Sequence, residues 1–269
     1  MKVSVRDGTG IWVQDEGPRD GPVVVFANSL GSDLTLWDAV LPHLPGYRTI
    51  RWDKRGHGRS DVPDPPYRMG RLVSDAEAVI AACGVTTCVF IGCSIGGMIA
   101  QGLAVKRGDL LRGMVLANTA AKIGTAQMWQ DRIDTALTRG MAPMVDGIIA
   151  RWFGRDFSAG PGLAHWRSRL AKVPPKGYAG CCAAIQGTDF YTPTSGLRLP
   201  TLALAGPEDG STPPDLVRET ADLIPGSQFA LIPRTGHLPC VEAPAVFAGH
   251  LTAFLSGIGH MPGDGRAPN

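Results

Sequence analysis

Ser94 has the surroundings of a catalytic nucleophile. It lies at the centre of Gly92-Cys93-Ser94-Ile95-Gly96, a Gly-x-Ser-x-Gly pattern. An apolar, β-branched run precedes this pattern and an alanine-rich helical stretch follows it, which is the strand, turn and helix setting of a nucleophile elbow. Glycines suit this turn because it brings the strand and helix backbones together, where a Cβ atom would clash. We expect the Ser94 hydroxyl at the carboxyl end of a buried strand.

A serine hydroxyl needs a base to remove its proton, and the base needs an acid to orient it. Where this chemistry is built on a parallel sheet, the chain order is serine, acid, histidine. His237 fits the base, because it lies directly after the last predicted strand. The remaining histidines lie at a helix end, before the elbow, in the central helical stretch or near the C-terminus, and fit less well: His43, His57, His165, His250 and His260.

The acid is expected in the loop Gly206–Gly210, which follows the next-to-last predicted strand. This loop offers both Glu208 and Asp209. A position after the sixth strand is a known alternative for the acid. Asn118 stands there, however, and cannot carry the charge that stabilises a protonated histidine.

An acyl-transfer site also needs two fixed N–H donors for the oxyanion of its tetrahedral intermediate. Ile95, the residue after the nucleophile, is expected to supply one of them. Leu30, in the loop after the strand Val23–Ala27, is the best candidate for the other. Gly31 keeps this loop thin, although the same segment is equally typical of an ordinary strand-to-helix turn.

Two further groups of residues invite other functions. The loop Arg55–Ser60 is rich in glycine and arginine, but it lacks the phosphate-binding glycine motifs, so we expect a structural turn behind the oxyanion loop. The cysteines show neither a C-x-x-C pair nor metal-ligand spacing. Most lie in apolar runs and are predicted to be buried free thiols: Cys83, Cys88, Cys93, Cys181, Cys182 and Cys240.

The elements that must position these residues alternate between strands and helices. An N-terminal hairpin is predicted over 2–6 and 11–15. A nearly continuous apolar run, typical of a strand buried in a parallel sheet, lies at 22–27, and further strands are predicted at 47–53, 89–91, 113–118, 200–205 and 228–232. Helices are predicted at 34–44, 71–83, after the elbow, at 214–223 and at 243–255. The fold class is therefore α/β, a mostly parallel doubly wound sheet.

The regular alternation is interrupted once. Residues 120–195 show helical patterning without a clear strand, and they are rich in tryptophan, methionine and arginine. We expect a core of residues 1–119 and 196–256, with 120–195 inserted after the sixth strand as a helical lid. Because ligands of such sheets bind beyond the carboxyl ends of the strands, the lid should lie over Ser94. Residues 257–269, rich in glycine and proline, are expected to be disordered.

Composition limits the partners. Of the 269 residues, 44% are hydrophobic and 19% charged, and the net charge is +2, as in an ordinary soluble globular protein. No basic cluster suggests nucleic acid, and no run approaches the roughly 18–20 apolar residues of a membrane span. The N-terminus lacks an apolar signal core, so we expect a cytoplasmic protein. No metal or cofactor is expected.

Together these segments resemble the α/β-hydrolase fold family, and within it most closely the 3-oxoadipate enol-lactonases of aromatic catabolism. The core of the resemblance lies in Asn28–Leu34 with Trp37, Asp53–Ser60 and the elbow. More specific matches lie in the lid and near the base: Ala117–Gly124 with Trp129, Arg151–Phe153, Gly177-Tyr178 with Cys182–Ile185, and His237 with Val241–Pro244. The elbow departs from that subfamily at Cys93 and Ile95, where Leu and Met are frequent.

The resemblance implies a cofactor-free serine hydrolase that converts 3-oxoadipate enol-lactone to 3-oxoadipate through an acyl-enzyme. It favours Asp209 over Glu208 as the acid. The implied substrate is a small lactone or ester bearing a carboxylate, so a lid cation is expected. Arg132 and Arg151 are candidates, with Trp129 and Trp152 as apolar walls. Surface arginines and lid-core tryptophans are an equally good interpretation of these four residues.

Three alternatives remain open. A carboxylesterase or a carbon–carbon bond hydrolase could use the same fold, since fold alone does not determine function. A non-catalytic ligand-binding member with a relict triad is less favoured, because serine, acid and histidine are all present. The sequence leaves room for a homo-oligomer.

Overall fold

A computed structural model describes residues 1–263 of the chain. It contains one eight-stranded sheet in the order β1-β2-β4-β3-β5-β6-β7-β8. The strands are β1 Lys2–Ser4, β2 Gly10–Glu16, β3 Val23–Ala27, β4 Arg48–Trp52, β5 Cys88–Cys93, β6 Leu111–Ala117, β7 Thr201–Ala205 and β8 Gln228–Leu231. β1 and β2 form the predicted antiparallel hairpin, and β2 pairs antiparallel with β4. The neighbours from β4 to β8 are parallel, which confirms the predicted fold class.

Helices follow most of the strands. In chain order they are α1 Met69–Ala82, α2 Ile95–Arg107, α3 Ala126–Arg139, α4 Val145–Trp152, α5 Arg155–Ser158, α6 Gly162–Ala171, α7 Pro175–Gln186, α8 Tyr191–Ser195, α9 Pro214–Asp222, α10 Pro239–Glu242 and α11 Pro244–Gly257. Helix α2 is buried from its first residue through Ala104, because it packs against β3, β5 and β6 and against α1. It is therefore apolar on all sides rather than amphipathic.

Successive strands are added on one side of β3 and then on the other, so the strand order reverses there. β4 pairs on one side of β3 and β5 on the other. Ala27 pairs with Gly92 and Cys93 with Ala117, so β3, β5 and β6 end at the same edge of the sheet. Such a switch point opens a crevice beyond the strand ends. The loops that follow these strands therefore meet there.

Six helices, α3 to α8, fill the chain between β6 and β7, and within 120–195 the structure has no strand. Aromatic side chains form much of the buried centre of this unit, among them Trp129, Trp152, Phe153, Trp166 and Tyr178. The order of elements is the one expected of a lid inserted after the sixth strand.

Two predicted elements need correction. The helix expected over 34–44 is two short 3-10 turns, Leu34–Trp37 and Leu41–His43. Pro42 enters the second turn and lacks the N–H that a continuous helix requires. The tail expected to be disordered from 257 onward is ordered as far as 263, because Tyr47 Oη donates a hydrogen bond to the His260 carbonyl at 3.1 Å. Residues 264–269 lie outside the described part of the chain.

Candidate active site

Ser94 occupies a sharp turn between β5 and α2. Its backbone angles, φ 57° and ψ −121°, lie in a region that non-glycine residues rarely adopt. A Cβ at Gly92 would lie 2.2 Å from the Gly96 carbonyl oxygen, and one at Gly96 would lie 2.1 Å from that of Ala27. Both glycines are thus required by close backbone approach. Thr119 Oγ1 donates to the Ser94 carbonyl at 2.6 Å, which further fixes the turn.

The structure brings His237 and Asp209 together. His237 Nδ1 donates to Asp209 Oδ2 at 2.8 Å, and both side chains are buried. The neighbouring acid, Glu208, points elsewhere and accepts the backbone N–H of Arg155 at 2.8 Å. Of the two acids that the chain offered, only Asp209 is in a position to orient the histidine.

Asp209 is held by further donors. Asn118 Nδ2 donates to Asp209 Oδ2 at 2.9 Å, and Thr212 Oγ1 donates to the same oxygen at 2.8 Å. The N–H of Ser211 donates to Oδ1 at 2.7 Å. These bonds favour the ionised carboxylate and fix its orientation.

The electrostatics of the pair follow from burial and proximity. Burial by itself lowers the pKa of His237, but the Asp209 charge and hydrogen bond outweigh it and leave that pKa above its ordinary value. Burial raises the pKa of Asp209, and here the His237 charge, with hydrogen bonds from His237 and Asn118, brings it below its ordinary value. Each partner therefore stabilises the charged form of the other.

His237 Nε2 faces the same cavity as Ser94. Among residues 1–263, its hydrogen-bond partner is Ser29 Oγ at 3.4 Å, and Ser94 Oγ makes no hydrogen bond. Both hydroxyls line the cavity with the imidazole. Catalytic contacts are often long before substrate binds, so proton transfer requires Ser94 Oγ to turn toward Nε2.

The two predicted oxyanion donors follow β3 and β5, which end at the same edge of the sheet. Leu30 follows β3 and lines the cavity, and Ile95 is the first residue of α2. Within the described chain neither N–H donates to a protein acceptor. A first-turn helical N–H has no intrahelical partner. Both groups are therefore available to an oxyanion.

The loop Arg55–Ser60 lies behind the oxyanion loop, as predicted. His57 Nε2 accepts the Gly31 N–H at 3.0 Å. Arg55 forms an ion pair with buried Asp75 at 2.6 Å, and the Arg59 guanidinium stacks 3.6 Å from the Trp12 ring. Arg55 is thus buried in an ion pair, whereas Arg59 is exposed and packs on Trp12.

A cavity of about 260 Å³ lies between the sheet edge and the lid. Its walls include Ser94 and His237 together with all four lid residues predicted to bind substrate: Trp129, Arg132, Arg151 and Trp152. It also includes residues that sequence reasoning did not place in the site: Ser29, Ile123, Met128, Ile148, Tyr178 and Thr212. Ser29, Ile123 and Tyr178 lie within segments that carry the resemblance, although no role was predicted for them. Met128, Ile148 and Thr212 had no sequence signal, because they reach the cavity through packing between segments distant in the chain.

The two lid arginines lack acidic partners. In the described part of the chain neither forms an ion pair, and Arg151 Nε is buried without a hydrogen bond. Burial, with the neighbouring Arg132 charge, lowers the pKa of Arg151. The Arg132 guanidinium stacks 4.8 Å from the Trp129 ring. Two uncompensated positive charges therefore face a small cavity, an arrangement that favours an anionic ligand.

A second cavity, of about 460 Å³, lies between α3 and α4 and shares four residues with the first: Met128, Arg132, Ile148 and Arg151. Exposed residues such as Gln127 and Asp131 line its other end. The arginine pair thus stands between the inner cavity and a cleft that reaches the surface.

The lid is tied to the histidine loop by one carboxylate. Glu242 accepts the Gly154 N–H at 2.7 Å and the Gly236 N–H at 2.8 Å. The Trp152 carbonyl accepts the His237 backbone N–H at 2.7 Å. His237 is therefore bonded directly to the lid.

All six cysteines are buried and free, as predicted. Residues 1–263 hold no group of three metal-ligating side chains. In the same range no helix is long and apolar enough to cross a membrane.

Residues 14–250 match the alpha/beta hydrolase family. The chain is 32% identical to 3-oxoadipate enol-lactonase 2 of Acinetobacter baylyi over 242 residues, covering 89% of this chain and 90% of the relative. The crystal structure of an enol-lactonase from Burkholderia xenovorans LB400 superposes with a TM-score of 0.92 at 31% identity, over 95% of this chain and 100% of that one. A thermophilic esterase from Thermogutta terrifontis, solved with malate bound, gives a TM-score of 0.90 at 27% identity, over 96% and 98%. The chain therefore belongs to the alpha/beta hydrolase family.

Proposed function

We propose that this hydrolase opens an enol-lactone bearing a carboxylate, with 3-oxoadipate enol-lactone as its substrate. The observation that carries the proposal is the pair Arg132 and Arg151, which lack acidic partners and line the cavity of Ser94 and His237. A substrate carboxylate would supply the missing negative charge. The similarity to two 3-oxoadipate enol-lactonases, at 32% and 31% identity, supports this substrate class.

The cavity size supports a small substrate. At about 260 Å³ it is slightly smaller than the usual ligand site of roughly 300–1,000 Å³. A compact lactone suits this volume better than a long-chain ester. Its apolar walls, Trp129 and Trp152, would pack on the ring.

In the proposed mechanism Ser94 Oγ attacks the lactone carbonyl while His237 Nε2 takes its proton. Asp209 stabilises the imidazolium, and the N–H groups of Leu30 and Ile95 hold the oxyanion. Collapse breaks the ring C–O bond and expels an enolate, which His237 protonates and which tautomerises to the ketone. Water activated by His237 then hydrolyses the Ser94 ester and releases the acid.

A carboxylesterase activity is the second candidate. The esterase from Thermogutta terrifontis has a similar fold over 96% of the present chain. The same triad would hydrolyse either ester class. The two functions differ in their need for the lid arginines. A neutral ester makes no use of them, whereas a carboxylate lactone does.

The test measures kcat and KM for 3-oxoadipate enol-lactone and for p-nitrophenyl acetate. Arg132→Gln and Arg151→Gln should each raise KM for the lactone about 10- to 100-fold, because a hydrogen-bonded charge is lost. Their kcat/KM for the neutral ester should stay within about threefold. Arg139→Gln, on the same helix α3 as Arg132 but hydrogen-bonded to Thr135 at its exposed end, is the matched control and should change neither.

Strong ester turnover without lactone opening would refute the substrate and favour the carboxylesterase. Ser94→Ala should abolish both activities. Turnover that survives this change would point instead to a non-catalytic role for the triad.

A further inference from the structure

Lys54 carries a fully buried amino group that the proposed mechanism does not use. It follows β4, and its side chain has no exposed surface. Nζ donates to the Ser29 carbonyl oxygen at 2.8 Å and lies 3.4 Å from that of Ser32. Within residues 1–263 it forms no ion pair with a carboxylate. A buried ammonium held only by carbonyls is costly, because its loss of hydration is poorly compensated.

The Ser29 carbonyl belongs to the same peptide unit as the Leu30 N–H. This unit is planar and conjugated, so a charge-assisted hydrogen bond at its oxygen draws electron density from its nitrogen. The Leu30 N–H then becomes a stronger donor on the opposite side of the unit. Leu30 lines the cavity beside Ser94.

We infer that Lys54 is a positioning residue that polarises the Ser29–Leu30 peptide and so strengthens the Leu30 N–H as an oxyanion donor. This inference rests on the proposed oxyanion hole, but it does not depend on which ester or lactone is the substrate. Because negative charge develops on the substrate oxygen only in the transition state, Lys54 should act on kcat rather than on KM.

Two neutral side chains near Lys54 also support this loop, and they allow the effect of charge to be distinguished from simple support. Ser32 Oγ also donates to the Ser29 carbonyl, at 2.8 Å, but it is neutral. His57 holds Gly31 from below, and burial together with the Lys54 charge keeps the pKa of His57 well below its ordinary value, so that it is neutral. Burial lowers the pKa of Lys54, and the nearby Asp53 and Asp33 charges oppose that shift. Among these three supports of the loop, Lys54 is the one that carries a positive charge when protonated.

The test compares Lys54→Met, which removes the charge at similar size, with Ser32→Ala, which removes a neutral donor from the same carbonyl. Lys54→Gln serves as a second variant that retains an N–H donor. For each, kcat and KM are measured with p-nitrophenyl acetate, the inhibition constant with phenylboronic acid, and Tm by thermal unfolding. The boronate adduct of Ser94 is tetrahedral and anionic, so its affinity reports directly on the oxyanion hole.

Lys54→Met should lower kcat about 10- to 100-fold, short of the roughly 10²- to 10³-fold loss of a whole oxyanion donor. The affinity for phenylboronic acid should fall by a similar factor, KM should change less than about twofold, and Tm should hold or rise because a buried charge is gone. Lys54→Gln should follow in the same direction. Ser32→Ala should lower kcat by less than about fivefold.

Unchanged kcat in both Lys54 variants would overturn the inference. So would a loss of kcat that is accompanied by a fall in Tm and matched by Ser32→Ala, since the role would then be structural. Wild-type ester turnover that persists in Ser94→Ala would instead refute the proposed triad. An enzyme active on the ester but not on the lactone would refute the substrate alone.

Discussion

His237 is held at three points that belong to three different parts of the chain. Its Nδ1 bonds Asp209 at 2.8 Å, its N–H bonds the Trp152 carbonyl at 2.7 Å, and its carbonyl accepts a weak bond from Cys93 Sγ at 3.7 Å. The acid loop, the lid and the elbow strand therefore orient one imidazole. This arrangement restricts the ring to the orientation that a general base needs.

The first prediction concerns the pH dependence of kcat/KM. The base must be neutral, and the Asp209 charge outweighs burial to hold the pKa of His237 above its ordinary 6.5. Activity should therefore fall as the pH drops through a midpoint above 6.5. Asp209→Asn removes that charge and leaves burial, so the midpoint should move below 6.5 while kcat falls about 10⁴-fold.

Glu208→Gln is the matched control for this pH profile, since it neutralises the adjacent acid, which bonds Arg155 instead of His237. Its midpoint should coincide with that of the wild type. A midpoint that shifts in Glu208→Gln and not in Asp209→Asn would reverse the assignment of the acid.

Asn118 shows how far sequence reasoning reaches at this scale. The sequence excluded its amide as the acid, and the structure gives it a supporting contact that was not predicted. Its backbone lies at φ 46°, a conformation that Asn tolerates better than most residues. From there Nδ2 donates to Asp209 Oδ2 at 2.9 Å and to the Gly236 carbonyl at 3.1 Å. The contact spans 91 positions of sequence, which local patterns do not reveal.

At the scale of elements, the elbow is the unit that places the nucleophile. Helix α2 begins so close to β3 that the second helical residue, Gly96, touches the Ala27 carbonyl. This contact explains why the motif could be recognised from sequence. The required closeness restricts residue type within five consecutive positions.

The second prediction compares two glycines at equivalent positions, the second residues of α2 and α1. Gly96→Ala would place Cβ 2.1 Å from a backbone oxygen and should destabilise the fold by about 1–3 kcal/mol or more. Gly70→Ala meets nothing within 4 Å and should stabilise it by about 0.5–1 kcal/mol. Urea unfolding monitored by circular dichroism measures both. Equal effects of the two substitutions would contradict the close approach.

The lid marks the limit of prediction at this scale. Helical patterning and aromatic content located it, and the resemblance singled out Trp129, Arg132, Arg151 and Trp152, which do line the cavity. Met128 and Ile148 line it too, but helical periodicity alone does not say which face of α3 or α4 turns toward the sheet. That choice depends on how six short helices pack together.

At the scale of the whole molecule, the two edges of the sheet differ in function. The carboxyl edge carries the elbow and the proposed acid and base, Asp209 and His237. At the amino edge the C-terminal segment is attached to the sheet by a hydrogen bond. His260 Nε2 donates to the carbonyl of Val23, the first residue of β3, at 2.9 Å. We therefore expect substitutions at the amino edge to change the stability of the fold without changing catalysis.

The third prediction is that His260→Ala lowers the free energy of unfolding by about 1–2 kcal/mol at pH 7.5, because the partly buried Val23 carbonyl loses its side-chain donor, while kcat stays unchanged. Burial, with the Arg112 charge, lowers the pKa of His260, so the folded protein holds it neutral. In the unfolded chain it protonates below about 6.5, so its contribution is present above that pH and declines below it. The deficit of the variant should therefore narrow on acidification.

Denaturant unfolding at pH 7.5 and pH 5.5 measures this effect. His250→Ala, on the partly exposed side of α11, is the control and should change stability by less than about 0.5 kcal/mol. A deficit in His260→Ala that widens at low pH would contradict the neutral, buried histidine.

The sequence by itself determined the features that depend on neighbouring residues: the glycine-bounded elbow, the buried parallel strands, the order of serine, acid and histidine, and the family. Backbone geometry restricts residue types over short stretches, so these features leave a local signature. The tertiary structure added the contacts that distinguish Asp209, bonded to His237, from Glu208, bonded to Arg155, and it placed Ser29 beside His237 and Lys54 beneath the Ser29–Leu30 peptide. Those contacts join segments up to 208 residues apart. They arise when the sheet edge and the lid close on each other, and no short stretch of chain specifies them.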